Sequence, residues 1–267
     1  MSSSRPAGSR KAVREPLYVV RGLCRRFGER AVLDDLSFDV LRGECLVVLG
    51  RSGSGKSLTL RQLNGLDPAE GGEVLFEGTD LVQLTERELY TVRRRIAMLF
   101  QSGALFDSFD VLENVAFPIR EHERVSEEEI RERVAAALAW VGLSGIEDRM
   151  PAALSGGMKK RVALARSLVL EPEVVLFDEP TAGLDPVTAA TISSLIRNTK
   201  DEFGTTSVVV THDIRLARHV GDRLALLHDG RFRFLGCWEE AEQSTDPALR
   251  AFLEGRPRPA QEDIDAA

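Results

Sequence analysis

CLVVLGRSGSGKSLTLRQLN, residues 45–64, is the stretch whose reading decides the fold. Five apolar residues, Cys45 to Leu49, run without alternation, as in a strand covered on both faces. Gly50, Gly53 and Gly55 then punctuate a short loop, and a helical pattern follows from Ser57 to Asn64. Strand, glycine-rich loop and helix in this order form a phosphate-binding loop. Glycines let successive backbone N–H groups turn inward around phosphate oxygens without Cβ clashes. The helix that follows adds its positive end. Lys56 is placed to reach the β- and γ-phosphates of a nucleotide, and the Ser57 hydroxyl to ligate Mg²⁺.

A second acidic element supports that reading. Val174 to Phe177 is another apolar run, and it ends in Asp178–Glu179. In open α/β sheets, ligands gather at the carboxyl ends of the strands, so the two segments converge. Asp178 is then the Mg²⁺ carboxylate, and Glu179 the group that polarises an attacking water. Further strand patterns occupy Leu17–Val20, Leu36–Val40, Val74–Phe76, Ile96–Phe100, Ser207–Val210 and Leu224–Leu227. Helical patterns occupy Glu86–Arg94, Ser126–Val141, Ser155–Val169, Pro186–Thr199 and Ile214–His219. Ser126 with Glu129 reads as a capping box. The alternation predicts an α/β core, with a mostly helical block between its strand-rich first part and its later β–α part.

Leu154-Ser-Gly-Gly-Met158 resembles the LSGGQ signature of ATP-binding-cassette (ABC) ATPases, and the two phosphate motifs stand in the order of that family. The resemblance runs from about Leu17 to Leu253. It implies a P-loop NTPase core with an antiparallel β subdomain and an inserted α-helical subdomain at about 86–160. The cassette would span 17–254, with flexible tails at 1–16 and 255–267. It assigns nucleotide contacts to Gly50, Arg51, Ser52, Gly53, Ser54, Gly55, Lys56, Ser57 and Leu58. It gives Gln101 the Q-loop position that touches Mg²⁺ and senses a membrane partner. Phe27 takes the place of an aromatic stacked on adenine; a core phenylalanine is the competing reading. Asp185, in Ala182–Asp185, matches the D-loop at a subunit contact, and His212 the switch histidine at the γ-phosphate. Ser155, Gly156 and Gly157 would meet the γ-phosphate held by an opposite subunit. A homodimer enclosing two ATP molecules, with Lys56, Glu179 and His212 catalytic, is therefore implied.

The segment from Met98 through Phe106 and Asn114 to His122, together with Met158, looks like the lipid-transport ATPases of the Mla/Mce (Ttg2) type. That likeness implies an integral membrane permease, a periplasmic Mce-domain lipid-binding protein and, in some systems, a STAS-domain subunit. The place of work would be the cytoplasmic face of a bacterial inner membrane. Leu105, Phe106, Phe109, Val111 and Leu112 are too apolar for a free loop, so they either face a partner or fill the helical block. Three rival functions share part of the motif set: an importer of polar solutes such as amino acids, a DNA-repair or translation ATPase, and a regulatory module without turnover. A single cassette without a coiled-coil insertion argues against the second, and the presence of Glu179 and His212 against the third.

Composition narrows the field further. Of 267 residues, 43% are hydrophobic and 29% charged, enough apolar material for a large core. Lys plus Arg total 35 against 42 Asp plus Glu, a formal charge of −7, which gives no global attraction to nucleic acid. No apolar run reaches the roughly 18–20 residues of a bilayer span. Cys24, Cys45 and Cys237 lie far apart with no metal-ligand spacing, and Cys45 reads as a buried structural thiol in a reducing compartment.

Overall fold

A computed structural model describes residues 15–67 and 69–256; most of both expected tails therefore lies outside the described residues. Its centre is a six-stranded sheet built from β3 (Cys45–Leu49), β6 (Ile96–Leu99), β7 (Val174–Asp178), β8 (Thr206–Thr211), β9 (Arg223–His228) and β10 (Arg231–Gly236). The strand order is β10-β9-β3-β8-β7-β6, parallel except for β10, which returns antiparallel to β9. A second sheet is wholly antiparallel, with β1 (Pro16–Phe27), β2 (Arg30–Leu41), β4 (Gly71–Phe76) and β5 (Thr79–Asp80) in the order β2-β1-β4-β5. β1 thus starts at the last residue of the expected N-terminal tail.

The unalternating apolar strands are explained by the two cores they divide. Side chains point to opposite faces in turn along a strand. Cys45, Val47 and Leu49 of β3, Val175 and Phe177 of β7, and Val209 of β8 enter one cluster. Leu46, Val48, Val174, Leu176, Val208 and Val210 enter the other. The second cluster also takes Leu58, Leu60 and Leu63 of α1 (Lys56–Leu63) and the inner face of the antiparallel sheet, including Tyr18, Phe38 and Phe76. The first takes the helices: α3 (Val111–His122), α4 (Glu127–Trp140), α5 (Gly156–Leu168), α6 (Pro186–Phe203), α7 (Ile214–Val220), and single residues from α8 (Trp238–Gln243) and α9 (Pro247–Leu253). α2 (Glu86–Arg93) adds Leu89 to the side of α1. Cys45 is fully enclosed, and burial pushes its thiol well up.

Helix starts follow local chemistry. Ser126 accepts the Glu129 N–H, but the Glu129 carboxylate faces Arg133 at 4.0 Å, so only half of the expected capping box forms. A complete box occurs at Thr85 and Glu88, opening α2. The stretch 86–160 is not helical throughout, because β6 lies inside it and joins the core sheet beside β7. α3, α4 and α5 are the helices that pack on one another there.

The edge of the core sheet remote from the phosphate loop is tied by charge. Arg95, just before β6, pairs with Glu173 at 2.6 Å and with Glu77 at 2.5 Å. Arg42, after β2, pairs with the same Glu77 and reaches Glu173 at 3.3 Å. Four side chains from four turns thus clamp the antiparallel sheet to the start of β6 and β7.

Candidate functional site

Parallel pairing delivers the site to one edge. Leu49 lies opposite Thr211 in β8, and Asp178 opposite Val210, so the ends of β3, β7 and β8 finish together. Beyond β3, Gly53 and Gly55 take left-handed φ values of 76° and 102°, as the tight loop requires. A Cβ on Gly50 would lie 2.7 Å from the Leu227 carbonyl oxygen, so that position too accepts only glycine. Lys56, Ser57 and Leu58 open α1, and the Leu58 side chain is buried in the core beneath it.

Lys56 is 6% exposed, and its ammonium donates to the carbonyls of Gly50 (2.9 Å) and Arg51 (3.0 Å). It also stands 3.2 Å from Glu179 Oε1. The other oxygen of Glu179 faces His212 Nδ1 at 3.0 Å and accepts the Thr211 hydroxyl at 3.1 Å. Burial raises the Glu179 carboxyl, but the His212 hydrogen bond and the Lys56 charge outweigh it and hold the group below the usual carboxylate range. Burial raises Asp178 above its ordinary value, against the Ser57 hydrogen bond. Ser57 Oγ donates to Asp178 Oδ1 at 2.7 Å, which places a hydroxyl and a carboxylate oxygen side by side. Hard oxygen donors of this kind suit Mg²⁺.

Glu179 is also held in a left-handed backbone conformation, φ 43°, at a cost of about 1–3 kcal/mol for a non-glycine residue. Its N–H donates to the Val210 carbonyl (2.9 Å) and its own carbonyl accepts from Ala182 N (3.1 Å). Strain of this kind, held by neighbouring strands, aims the carboxylate across the sheet edge at Lys56 and His212.

The signature residues lie in a separate group. Ser155 caps α5, accepting the Met158 N–H at 3.3 Å, with Ser155 and Gly156 exposed. Gly157 is buried, and a Cβ there would come within 2.3 Å of Thr188 Cγ2. Asp185 caps α6 and binds the Thr188 hydroxyl at 2.5 Å, so signature and D-loop are packed as one unit. Among the described residues no hydrogen bond or ion pair joins this unit to Lys56, Ser57 or Asp178. Phe27 is 57% exposed at the end of β1, with the Arg25 guanidinium 5.1 Å over its ring, so it is not a core residue. Gln101, after β6, is exposed. Thr211, not among the expected site residues, contacts Glu179 directly; its position before His212 at the end of a β-branched strand is the sequence signal for it.

A groove of about 410 Å³ opens beyond Gln101, lined by Met98, Phe106, Phe117, Arg93, Arg94 and Arg166. Phe106, Phe109 and Phe117 form a cluster with centroids 4.9–6.4 Å apart. Val111 and Leu112 turn into the core instead. The apolar run therefore divides: Phe106 lines the groove with Phe109 packed on its ring, while Leu105, Val111 and Leu112 join the core of the helical block.

The chain is similar to known proteins in sequence and fold. The family model described as "ABC transporter" matches residues 33–182. The probable ribonucleotide transport ATP-binding protein mkl of Mycobacterium leprae is 43% identical over 237 residues, which are 89% of this chain and 68% of that protein. The intermembrane phospholipid transport system ATP-binding protein MlaF of Haemophilus influenzae is 41% identical over 239 residues, 90% of each chain. Among solved structures, the dimeric ATP-binding cassette MJ0796, in a post-hydrolysis state bound to ADP and Pi, superposes with a TM-score of 0.77 at 34% identity. That match covers 82% of this chain and 98% of that one. Clostridium perfringens cbiO1, part of the cbiONQ transporter complex, gives 0.78 at 31% identity, covering 89% and 95%.

Proposed function

This chain belongs to the ABC transporter family as an ATP-hydrolysing subunit, and from that premise we propose that it powers movement of phospholipid or another hydrophobic substrate between bacterial membranes. Supporting the cargo is the MlaF likeness, which extends over 90% of both chains, together with the Met98–His122 segment and Met158. The partners in this reading are a second copy of the chain, an integral membrane permease seated in the groove beside Phe106, a periplasmic Mce-domain protein and, in some systems, a STAS-domain subunit. No helix among the described residues is long and apolar enough to cross a membrane, so the permease would hold the subunit at the cytoplasmic face of the inner membrane.

The catalytic reading rests on Glu179 standing between Lys56 and His212. Phosphoryl transfer to water asks the protein mainly for positioning and charge compensation. Lys56 exchanges its loop carbonyls for phosphate oxygens of ATP, and Arg51 to Leu58 enclose the phosphates. Phe27, exposed beside Arg25, stacks on the adenine. Glu179 orients the attacking water, with its carboxylate kept ionised and aimed by His212 and Thr211. Ser57 and Asp178, with Gln101, would hold Mg²⁺, which neutralises phosphate charge when bound. Ser155 and Gly156, exposed at the start of α5, offer their N–H groups to the γ-phosphate of a second copy, as the dimeric state of the MJ0796 cassette suggests. Val187, 77% exposed beside Asp185, is an apolar surface suited to that contact.

The mkl likeness favours a second reading, a transporter of polar solutes, since that relative is named as a probable ribonucleotide transport protein. Purification from the native membrane with identification of the co-purifying subunits separates the two. Recovery of an Mce-domain protein supports lipid transport; recovery of a polar-solute permease overturns it.

A further inference from the structure

Lys160 lies in the second turn of α5, only 6% exposed. Its ammonium donates to the backbone carbonyl of Gln101 and stands 3.5 Å from the carbonyl of Glu179. Among the described residues no carboxylate forms an ion pair with it. A buried cation satisfied by carbonyls alone is costly. Burial lowers its pKa, while the nearby charges of Asp178 and Glu179 support the protonated form. The two carbonyls belong to Gln101, which directly follows the groove-lining Phe100, and to the strained residue at the centre of the site. Lys160 itself rides on the helix that begins with Ser155 and Gly156. Three segments therefore meet at one ammonium.

We propose that Lys160 is a positioning residue that fixes the turn carrying Glu179 to the backbone of Gln101, so that displacement of Gln101 by a docked partner resets the aim of the Glu179 carboxylate. The proposal rests on Glu179 being the group that orients water. It differs from a packing role, because a packing residue would not link turnover to the partner. Small misplacements of a reacting group cost about 100-fold in rate, so the effect falls on kcat and not on ATP binding.

The test uses the full chain, alone and in complex with the membrane subunits it co-purifies with, measuring ATP affinity, KM, kcat and the ratio of complexed to free turnover. Lys160→Met is expected to keep ATP affinity and KM within about twofold, lose about 10- to 100-fold in kcat, and bring the ratio close to one. Lys160→Gln, which restores an N–H donor without the charge, is expected to recover part of both losses. Unchanged kcat and ratio in Lys160→Met overturn the proposal. So does a parallel loss of ATP affinity and thermal stability, or a Lys160→Gln variant no better than Lys160→Met. Glu179→Gln is measured in the same series: wild-type turnover there removes the water-orienting role itself, whereas an inactive Glu179→Gln beside a normal Lys160→Met removes only the positioning role.

Discussion

Replacing Asn114 with alanine is the sharpest probe of the groove loop. Asn114 is fully buried at the start of α3, and its side chain holds residues 106–110. Its Oδ1 accepts the Phe106 N–H at 2.8 Å, and its Nδ2 donates to the carbonyls of Phe106, Phe109 and Asp110, each at 3.0 Å. Two of these carbonyls keep another donor, since Phe109 N reaches Phe106 O and Asn114 N reaches Asp110 O. The variant thus strips the side-chain partner from the Phe106 N–H and the Phe109 carbonyl, and a long 3.5 Å contact from Arg166, which keeps the Gly103 carbonyl. Each such group costs about 1–3 kcal/mol when water cannot replace the lost partner. Phe106 is 41% exposed, which brings water near and puts the total toward the lower end, about 2–3 kcal/mol. For a chain of this size that is a fall of roughly 4–12 °C in melting temperature. The assay is thermal unfolding beside ATP affinity and partner-stimulated turnover. Melting falls and stimulation is lost, while ATP affinity holds because the phosphate loop is untouched. A melting temperature within about 1 °C of the parent would refute the reasoning.

Three other outcomes follow from the geometry. Glu179→Gln should bind ATP, lose about 10²- to 10⁴-fold in turnover and accumulate as an ATP-bound dimer on gel filtration; wild-type turnover would remove Glu179 from its role. Gly157→Ala places a methyl against Thr188 Cγ2 and should cost about 1–3 kcal/mol, with Thr188→Ser restoring stability by deleting the opposing methyl. Equal melting of Gly157→Ala and wild type, or no rescue by Thr188→Ser, counts against that contact. Hydrogen bonds from Arg95 are the main cause holding Glu77 and Glu173 below their ordinary value of 4.5. Their contribution is therefore present above about pH 4.5 and lost as pH falls through the lowered values. Being partly exposed, the pairs are worth only about 0–1 kcal/mol each. Wild type should lose melting temperature below pH 4.5 more steeply than the double variant Glu77→Gln, Glu173→Gln; identical pH slopes would show that the clamp adds nothing.

Contiguous motifs made much of the site legible. Gly50 to Ser57 lie in one loop between a buried strand and a helix, so their chemistry is local, and the Val174–Glu179 run is readable for the same reason. What escaped the sequence depends on distant partners or broken patterns. β10 carries Arg231 and Arg233 among its apolar residues and shifts register between Phe232 and Phe234, which blurs the alternation. α3 contains Pro118, a residue that ordinarily ends a helix, yet its buried Val115, Ala116 and Ile119 hold it in place. β1 extends well past Val20 because its charged residues lie on the outer face of a sheet that pairing with β2 and β4 sustains. Lys160 looked like one of several basic residues on a helix. Only the fold shows that it is buried and aimed at two carbonyls.

The strand that carries the phosphate loop has consequences for when the site can exist. β3 is written early in the chain, but both of its neighbours, β8 and β9, are written after the whole helical block. A nascent chain that stops short of Thr206 contains every residue of the loop and neither strand that holds β3 in the sheet. Long-range parallel pairing of this kind forms slowly and leaves apolar strands uncovered meanwhile. During synthesis, then, the Cys45–Leu49 run should wait for its partners, and nucleotide binding is expected only once Leu226 has emerged to lie beside Leu49. Ligand-induced protection of growing chains, arrested at successive lengths, should switch on at that point and not at the loop itself.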